Sequence, residues 1–94
     1  VVVAASTGGP NALAQLVPRL PRALDAALVV AQHMPPGFTA SLARRLDARA
    51  ALPVQEARDG DPLLAGRVYL APGGRDLRLR RDASGAPTLA VVDE

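Results

Sequence analysis

Two polar side chains suited to acyl-transfer chemistry each follow an apolar run of the chain. Ser6 comes directly after the run 1–5, and His33 comes two residues after a second run, 27–31. A serine hydroxyl becomes a nucleophile when a base accepts its proton, and imidazole has a suitable pKa for that task at neutral pH. We therefore interpret Ser6 and His33 as a candidate nucleophile and its base, provided that the fold brings them together.

The elements around these residues predict how they would meet. Both apolar runs are typical of strands buried on both faces. Between them, Leu13, Leu16 and Leu20 recur at the spacing of one helix face, after Pro10, which suits a first helical turn. A helical crossover makes its two flanking strands parallel. Ser6 and His33 would then lie at the carboxyl edge of the sheet, where open α/β sheets bind ligands.

The turn after Ser6 admits two functional interpretations. The free backbone N–H groups of Thr7 and Gly8, at a helix N-terminus, would stabilise an oxyanion. The same Ser6–Gly9 loop would equally suit a non-catalytic module that binds an anionic ligand there. The loop lacks the spacing of the phosphate-binding, dinucleotide-binding and hydrolase-elbow motifs. The residues alone leave open a nucleophile, an anion site and a purely structural turn.

The middle of the chain predicts a second helix and a third strand. Thr39 is the expected N-cap of that helix, with Phe38 and Ala43 as a hydrophobic staple across its first turn. Leu42 and Leu46 continue the apolar stripe. Residues 53–57 are then predicted to form a short strand. Asp59 and Asp61 are the nearest candidates for an orienting acid, although their turn setting favours a solvated role.

The last third of the chain changes pattern and completes the expected fold class. A strand at 67–71 is followed by alternating leucines, Leu77 and Leu79, and by a further apolar run, 88–92. We interpret this region as an antiparallel hairpin or meander appended to a doubly wound, mostly parallel α/β sheet. Because such a sheet needs more elements than 94 residues hold, we expect residues 1–94 to be the N-terminal part of a single, incomplete domain.

Composition excludes several classes of function. The chain has no cysteine and one histidine, so disulfides and a zinc site are not expected. Its eleven basic residues are all arginine and are interspersed with acids, with only two aromatic side chains, which disfavours nucleic-acid binding. No apolar run reaches the roughly 18 residues needed to cross a bilayer. These features predict a cytoplasmic protein without membrane insertion.

Three segments resemble the chemotaxis protein-glutamate methylesterases, the CheB-type catalytic domains. They are Ala5–Pro10 (ASTGGP), Gln32–Thr39 (QHMPPGFT) and Gly66–Gly74 (GRVYLAPGG). The resemblance extends over almost the whole chain in the family's order, and the middle segment is the most specific. It implies about the first half of a catalytic domain with a doubly wound α/β sheet.

The resemblance also implies a mechanism and a substrate. The family's nucleophile falls on Ser6, its histidine on His33 and its oxyanion position on Thr7, whereas its triad aspartate lies beyond this sequence. The expected substrates are glutamate γ-methyl esters, and in many members glutamine amides, on the cytoplasmic part of chemoreceptors. No metal or organic cofactor is implied. The family commonly carries a phosphorylatable receiver domain, and the isolated 94 residues would have little or no activity.

Overall fold

A four-stranded parallel sheet forms the centre of the computed structural model, which describes residues 2–6, 15, 17–31 and 35–93. The strands are β1 (Val2–Ser6), β2 (Ala27–Ala31), β3 (Val54–Glu56) and β4 (Arg67–Leu70). Their order across the sheet is β1-β2-β4-β3, and every neighbouring pair is parallel. This arrangement confirms the predicted parallel α/β sheet.

The pairing register aligns the ends of the four strands. Ser6 lies opposite Ala31, and Leu70 lies opposite both Val30 and Glu56. The last residues of β1, β2, β3 and β4 therefore share one side of the sheet, which we call the carboxyl edge. The pairing continues past the end of β4, because the N–H of Ala71 donates to the Val30 carbonyl at 2.8 Å.

The helix α1 (Phe38–Arg49) covers one face of the sheet. Its stripe of Leu42, Ala43 and Leu46 is buried, as the periodicity predicts. A single 3-10 turn, Val17–Arg19, adds Val17 to the same core. The buried cluster on this face consists of Val17, Leu28, Val30, Leu42, Ala43, Leu46, Leu52, Val54, Val68 and Leu70.

The opposite face is covered by an antiparallel hairpin of β5 (Arg75–Arg81) and β6 (Pro87–Asp93). Its buried cluster consists of Ala27, Val29, Ala57, Leu63, Tyr69 and Leu89, with Leu77 packed against it. The buried Tyr69 hydroxyl donates to the Pro62 carbonyl at 2.8 Å and accepts from the Leu64 N–H at 3.1 Å. The sheet is thus covered on both faces, by a helix and by a hairpin.

The structure corrects the predicted place of one strand. Arg67–Leu70 is not the first strand of a meander but lies inside the parallel sheet, between β2 and β3. Val68 and Leu70 pack on the helix side, whereas Tyr69 packs on the hairpin side. Burial on both faces is the environment of a central parallel strand, so the antiparallel part is a two-stranded hairpin.

The start of α1 also differs from its prediction. Gly37, in a left-handed conformation with φ 91°, occupies the N-cap position, and the helix has no side-chain cap. Phe38 is 61% exposed, so it does not form the expected staple with the buried Ala43. The helix predicted before Pro18 falls mostly on residues 10–14 and 16, outside the described residues.

Candidate active site

The strand register places Ser6 at the carboxyl edge of the sheet. Ser6 is the last residue of β1, and its backbone lies opposite Ala31, the last residue of β2. Neighbouring strands are about 4.8 Å apart. His33 follows Ala31 by two residues in the sequence. The parallel pairing therefore brings the end of β1 beside the end of β2. The meeting of Ser6 and His33 stays a prediction.

The other predicted site residues lie outside the described part of the chain. They are Thr7, Gly8 and His33, of which the structure describes nothing. The roles of these residues, and of the Ser6 side chain, stay predictions. The residues on either side of the His33 segment are described: β2 ends at Ala31, and Pro35–Gly37 directly precede α1.

A partly buried polar cluster lies at the same carboxyl edge. The Thr39 hydroxyl donates to Oε2 of Glu56, the last residue of β3. The same hydroxyl accepts a hydrogen bond at 3.0 Å from the N–H of Gly73, in the turn after β4. Thr39 is only 1% exposed. We call these three residues the edge cluster; it joins the first turn of α1 to the ends of two strands.

The turn after β4 also contacts the residues that precede α1. Gly74 has φ +77°, and a Cβ atom placed on it would lie 3.4 Å from Cγ of Pro36. The Phe38 N–H donates to the Pro35 carbonyl at 3.2 Å, which closes a turn directly before the helix. Residues 35–39 therefore lie close to residues 72–74, and the hydrogen bond from the Gly73 N–H to the Thr39 hydroxyl joins the two segments.

The sequence interpretation misses the edge cluster. It predicts only a local capping role for Thr39 and no role at all for Glu56. One available signal is positional, because Glu56 is the last residue of a short strand, as Ser6 is. The partner of each residue, however, comes from a different part of the chain, since Thr39 is 17 positions from Glu56 and 34 from Gly73.

The two turn aspartates do not meet the edge cluster. The Asp61 carboxylate accepts from Nε2 of Gln55 at 3.1 Å and from the Arg58 N–H at 2.8 Å. The Asp59 carboxylate accepts from the Val91 N–H at 2.9 Å, in the hairpin. Both acids therefore fasten the turn after β3. These contacts support a structural role for the two residues over a role as the orienting acid.

An open cleft of about 440 Å³ lies between α1 and β3. It is lined by Ala40, Ala43, Arg44, Asp47, Val54, Gln55, Glu56, Arg58 and Asp61. All three acidic residues of the lining accept hydrogen bonds within the fold: Asp47 from the Val54 N–H, Glu56 from Thr39, and Asp61 from Gln55. The carboxylates that line the cleft therefore stabilise the fold by accepting hydrogen bonds within it.

Two other kinds of site are absent from the described residues. Within the described ranges, no group of three or more metal-ligating side chains comes together. In the same part of the chain, no helix has the length and apolarity to span a membrane.

The parallel sheet with a polar carboxyl edge defines an open α/β protein whose ligand site is expected at that edge. Comparison with known proteins identifies a family within this class. The CheB methylesterase family model matches residues 1–93, and the chain belongs to this family.

Relatives with known names agree with this assignment. Over 85 residues, the chain is 56% identical to a protein-glutamate methylesterase/protein-glutamine glutaminase of Symbiobacterium thermophilum, covering 90% of the chain and 23% of the relative. A Bacillus subtilis protein of the same name is 49% identical over 85 residues, covering 90% of the chain and 24% of that protein. The chain thus spans about a quarter of the length of these relatives.

A solved structure confirms the fold. The Thermotoga maritima CheB methylesterase catalytic domain superposes with a TM-score of 0.86 at 45% sequence identity. The match covers 99% of this chain and 49% of that domain. The chain therefore has the fold of about half of such a catalytic domain, in agreement with the predicted incomplete α/β domain.

Proposed function

We propose that this chain supplies the nucleophile and the general base of a protein-glutamate methylesterase. The observation that carries the proposal is the register of β1 and β2, in which Ser6 lies opposite Ala31. This register brings the end of β1 and the start of the His33 segment to one edge of the sheet. The names of the relatives supply the reaction, ester and amide hydrolysis at glutamate and glutamine side chains.

The proposed reaction proceeds by acyl transfer. His33 accepts the hydroxyl proton as Ser6 attacks the ester carbonyl, and methanol leaves with a proton returned by His33. Water, activated by the same imidazole, then attacks the acyl-enzyme and releases the glutamate carboxylate and Ser6. With a glutamine substrate, ammonia takes the place of methanol.

The oxyanion of each tetrahedral intermediate would be held by backbone N–H groups of Thr7 and Gly8. Loss of one such donor costs about 3 kcal/mol of transition-state stabilisation in other hydrolases. The acid that orients His33 comes, in this proposal, from beyond residue 94. The engagement of Asp59 and Asp61 in backbone and side-chain hydrogen bonds of the fold supports that assignment.

The proposed substrate is a methylated glutamate on the cytoplasmic domain of a chemoreceptor, and the proposed location is the cytoplasm. A receiver domain in the same polypeptide is the proposed regulator. This chemistry needs no metal ion or organic cofactor, because the imidazole moves the proton and backbone N–H groups hold the developing charge.

Methanol release from methylated receptor tests the proposal on the full-length polypeptide. We expect Ser6→Ala and His33→Ala each to lower the rate by about 10⁴-fold or more, as in other serine hydrolases. Ser84→Ala is the matched control, because Ser84 lies exposed in the hairpin turn and should leave the rate unchanged. Full release by Ser6→Ala would overturn the proposal.

A labelling experiment separates the esterase from an anion-binding module at the Ser6–Gly9 loop. A serine-directed phosphonate should label Ser6 in the wild type and should fail to label it in His33→Ala. An anion module predicts instead no labelling, together with phosphate binding that survives Ser6→Ala. That second result would contradict the esterase proposal.

A further inference from the structure

The segment that carries His33 joins the end of β2 to the residues that precede α1. One end follows Ala31, which the parallel pairing fixes opposite Ser6. The other end leads into α1 through residues 35–38. Contacts that hold the first turn of α1 against the sheet therefore also restrain residues 35–38, at the end of the His33 segment nearer to the helix.

The hydroxyl of Thr39 makes this attachment instead of capping its own helix. A threonine at a helix start commonly bonds the free N–H groups of the first turn. Here α1 has no side-chain cap, while the Thr39 hydroxyl bonds the Glu56 carboxylate and the Gly73 N–H. The side chain is buried and both of its partners come from the ends of other strands, so its contacts are tertiary.

Three elements thus converge on one hydroxyl at the carboxyl edge. Glu56 ends β3, Gly73 follows β4, and Thr39 lies in the first turn of α1. Pro36 also lies close to Gly74, since a Cβ atom placed on Gly74 would be 3.4 Å from Cγ of Pro36. The hydrogen bond to the Glu56 carboxylate is of the charge-assisted kind, which is stronger than a bond between neutral groups.

We propose that the edge cluster of Thr39, Glu56 and Gly73 positions His33 for proton transfer with Ser6. Thr39 and Glu56 are positioning residues, since they act through the His33 segment and make no contact with substrate in this proposal. The inference rests on the proposed esterase function. A displacement of about 1 Å at a reacting group can lower a rate by about 100-fold, so a remote anchor is sufficient to control turnover.

Kinetics of two Thr39 variants in the full-length polypeptide test the proposal. Thr39→Val keeps the shape of the side chain and removes the hydroxyl, whereas Thr39→Ser keeps the hydroxyl. We expect Thr39→Val to lower kcat for methanol release by about 10- to 100-fold with KM changed less than about two-fold. Thr39→Ser should restore kcat to within about three-fold of the wild type.

Tyr69→Phe serves as the matched control for loss of stability. It also removes one buried hydroxyl with two hydrogen bonds, but on the hairpin side of the sheet. We expect it to lower the melting temperature without lowering kcat of the folded enzyme. A Thr39→Val enzyme that behaves in the same way, less stable but fully active, would overturn the positioning role.

Amide hydrogen exchange gives a readout that does not depend on activity. Exchange in the peptide covering residues 32–38 should become faster in Thr39→Val and stay unchanged in Thr39→Ser and Tyr69→Phe. If the wild type releases no methanol, the proposed function fails, and the exchange measurement still decides whether the edge cluster restrains residues 32–38. Unchanged exchange in Thr39→Val would overturn the inference.

Discussion

The carboxylate of Asp47, on α1, accepts a hydrogen bond at 2.8 Å from the backbone N–H of Val54, on β3. The backbone groups on either side of β3 face β4. The Pro53 carbonyl accepts a hydrogen bond from the Val68 N–H, and the Ala57 N–H donates to the Leu70 carbonyl. The Val54 N–H therefore points to the outer side of the sheet. A helix side chain thus satisfies an edge group that would otherwise be open to pairing with another chain.

Replacement of Asp47 tests this edge cap. We expect Asp47→Ala to lower the free energy of unfolding by about 1 to 3 kcal/mol, because the partly buried Val54 N–H loses its partner. Asp47→Asn, which keeps an oxygen acceptor, should lose less. Urea denaturation of the full-length polypeptide measures both, and equal stability of Asp47→Ala and wild type would contradict the cap.

The buried hydroxyl of Tyr69 ties the turn after β3 to the centre of the sheet. Tyr69→Phe leaves the Pro62 carbonyl and the Leu64 N–H without this partner. We expect a loss of about 1 to 3 kcal/mol in the free energy of unfolding. Denaturant unfolding measures it; a stability change below about 0.5 kcal/mol would show that water replaces the hydroxyl.

Two glycines, Gly60 and Gly74, have a left-handed backbone conformation. Substituting each of them distinguishes the effect of backbone strain from the effect of crowding the residues that precede α1. At Gly60 (φ +88°) an added Cβ atom would meet open space, whereas at Gly74 (φ +77°) that atom would lie 3.4 Å from Pro36. Alanine at either position should cost about 1 to 2 kcal/mol of stability, because an L side chain disfavours this backbone region.

Only Gly74→Ala should also affect turnover, since only Gly74 meets the residues that lead into α1. We expect its kcat for methanol release to fall by several-fold, on the order of the effect of small active-site displacements. Gly60→Ala should keep the wild-type kcat. Equal kcat values for the two variants would contradict a role of the Pro36–Gly74 contact in the site.

The hairpin turn contains a carboxyl group whose titration is shifted by the fold. The pKa of Asp82 is lowered from its ordinary value of 3.8, first by the hydrogen bond from the Ser84 hydroxyl and then by the Ala86 N–H. A lowered folded pKa gives a stabilising contribution that is complete above the unfolded pKa and is lost as the pH falls through the folded pKa.

Asp82→Asn should therefore remove part of the acid dependence of stability. Over the range from about pH 5 to about pH 2, the melting temperature of the wild type should fall more steeply than that of the variant. Thermal melts at several pH values measure the two slopes, with Asp76→Asn as a control on the same hairpin. Identical slopes for wild type and Asp82→Asn would refute the assignment.

How much of the fold could be predicted from the sequence depends on how local the responsible interactions are. The strands Ala27–Ala31 and Arg75–Arg81 follow from patterns within a few residues, and the structure confirms both. The predicted half-buried face of the second strand holds only for Leu77, which packs on the hairpin-side cluster, because Leu79 is 58% exposed. The position of Arg67–Leu70 depends on partners far away in the chain, and its prediction as part of a meander was wrong. The N-cap prediction for Thr39 was wrong because distant hydrogen bonds outweigh a local one.

Side-chain type and apolar spacing are local properties, so the amino-acid order alone predicted candidate residues for the chemistry and identified most of the strands. It placed Ser6 at the end of one strand and His33 just beyond another. The folded chain was needed to show that Glu56 and Gly73 share one threonine hydroxyl, and that β4 separates β2 from β3. Those contacts join residues distant in the chain, and the packing of both sheet faces selects them.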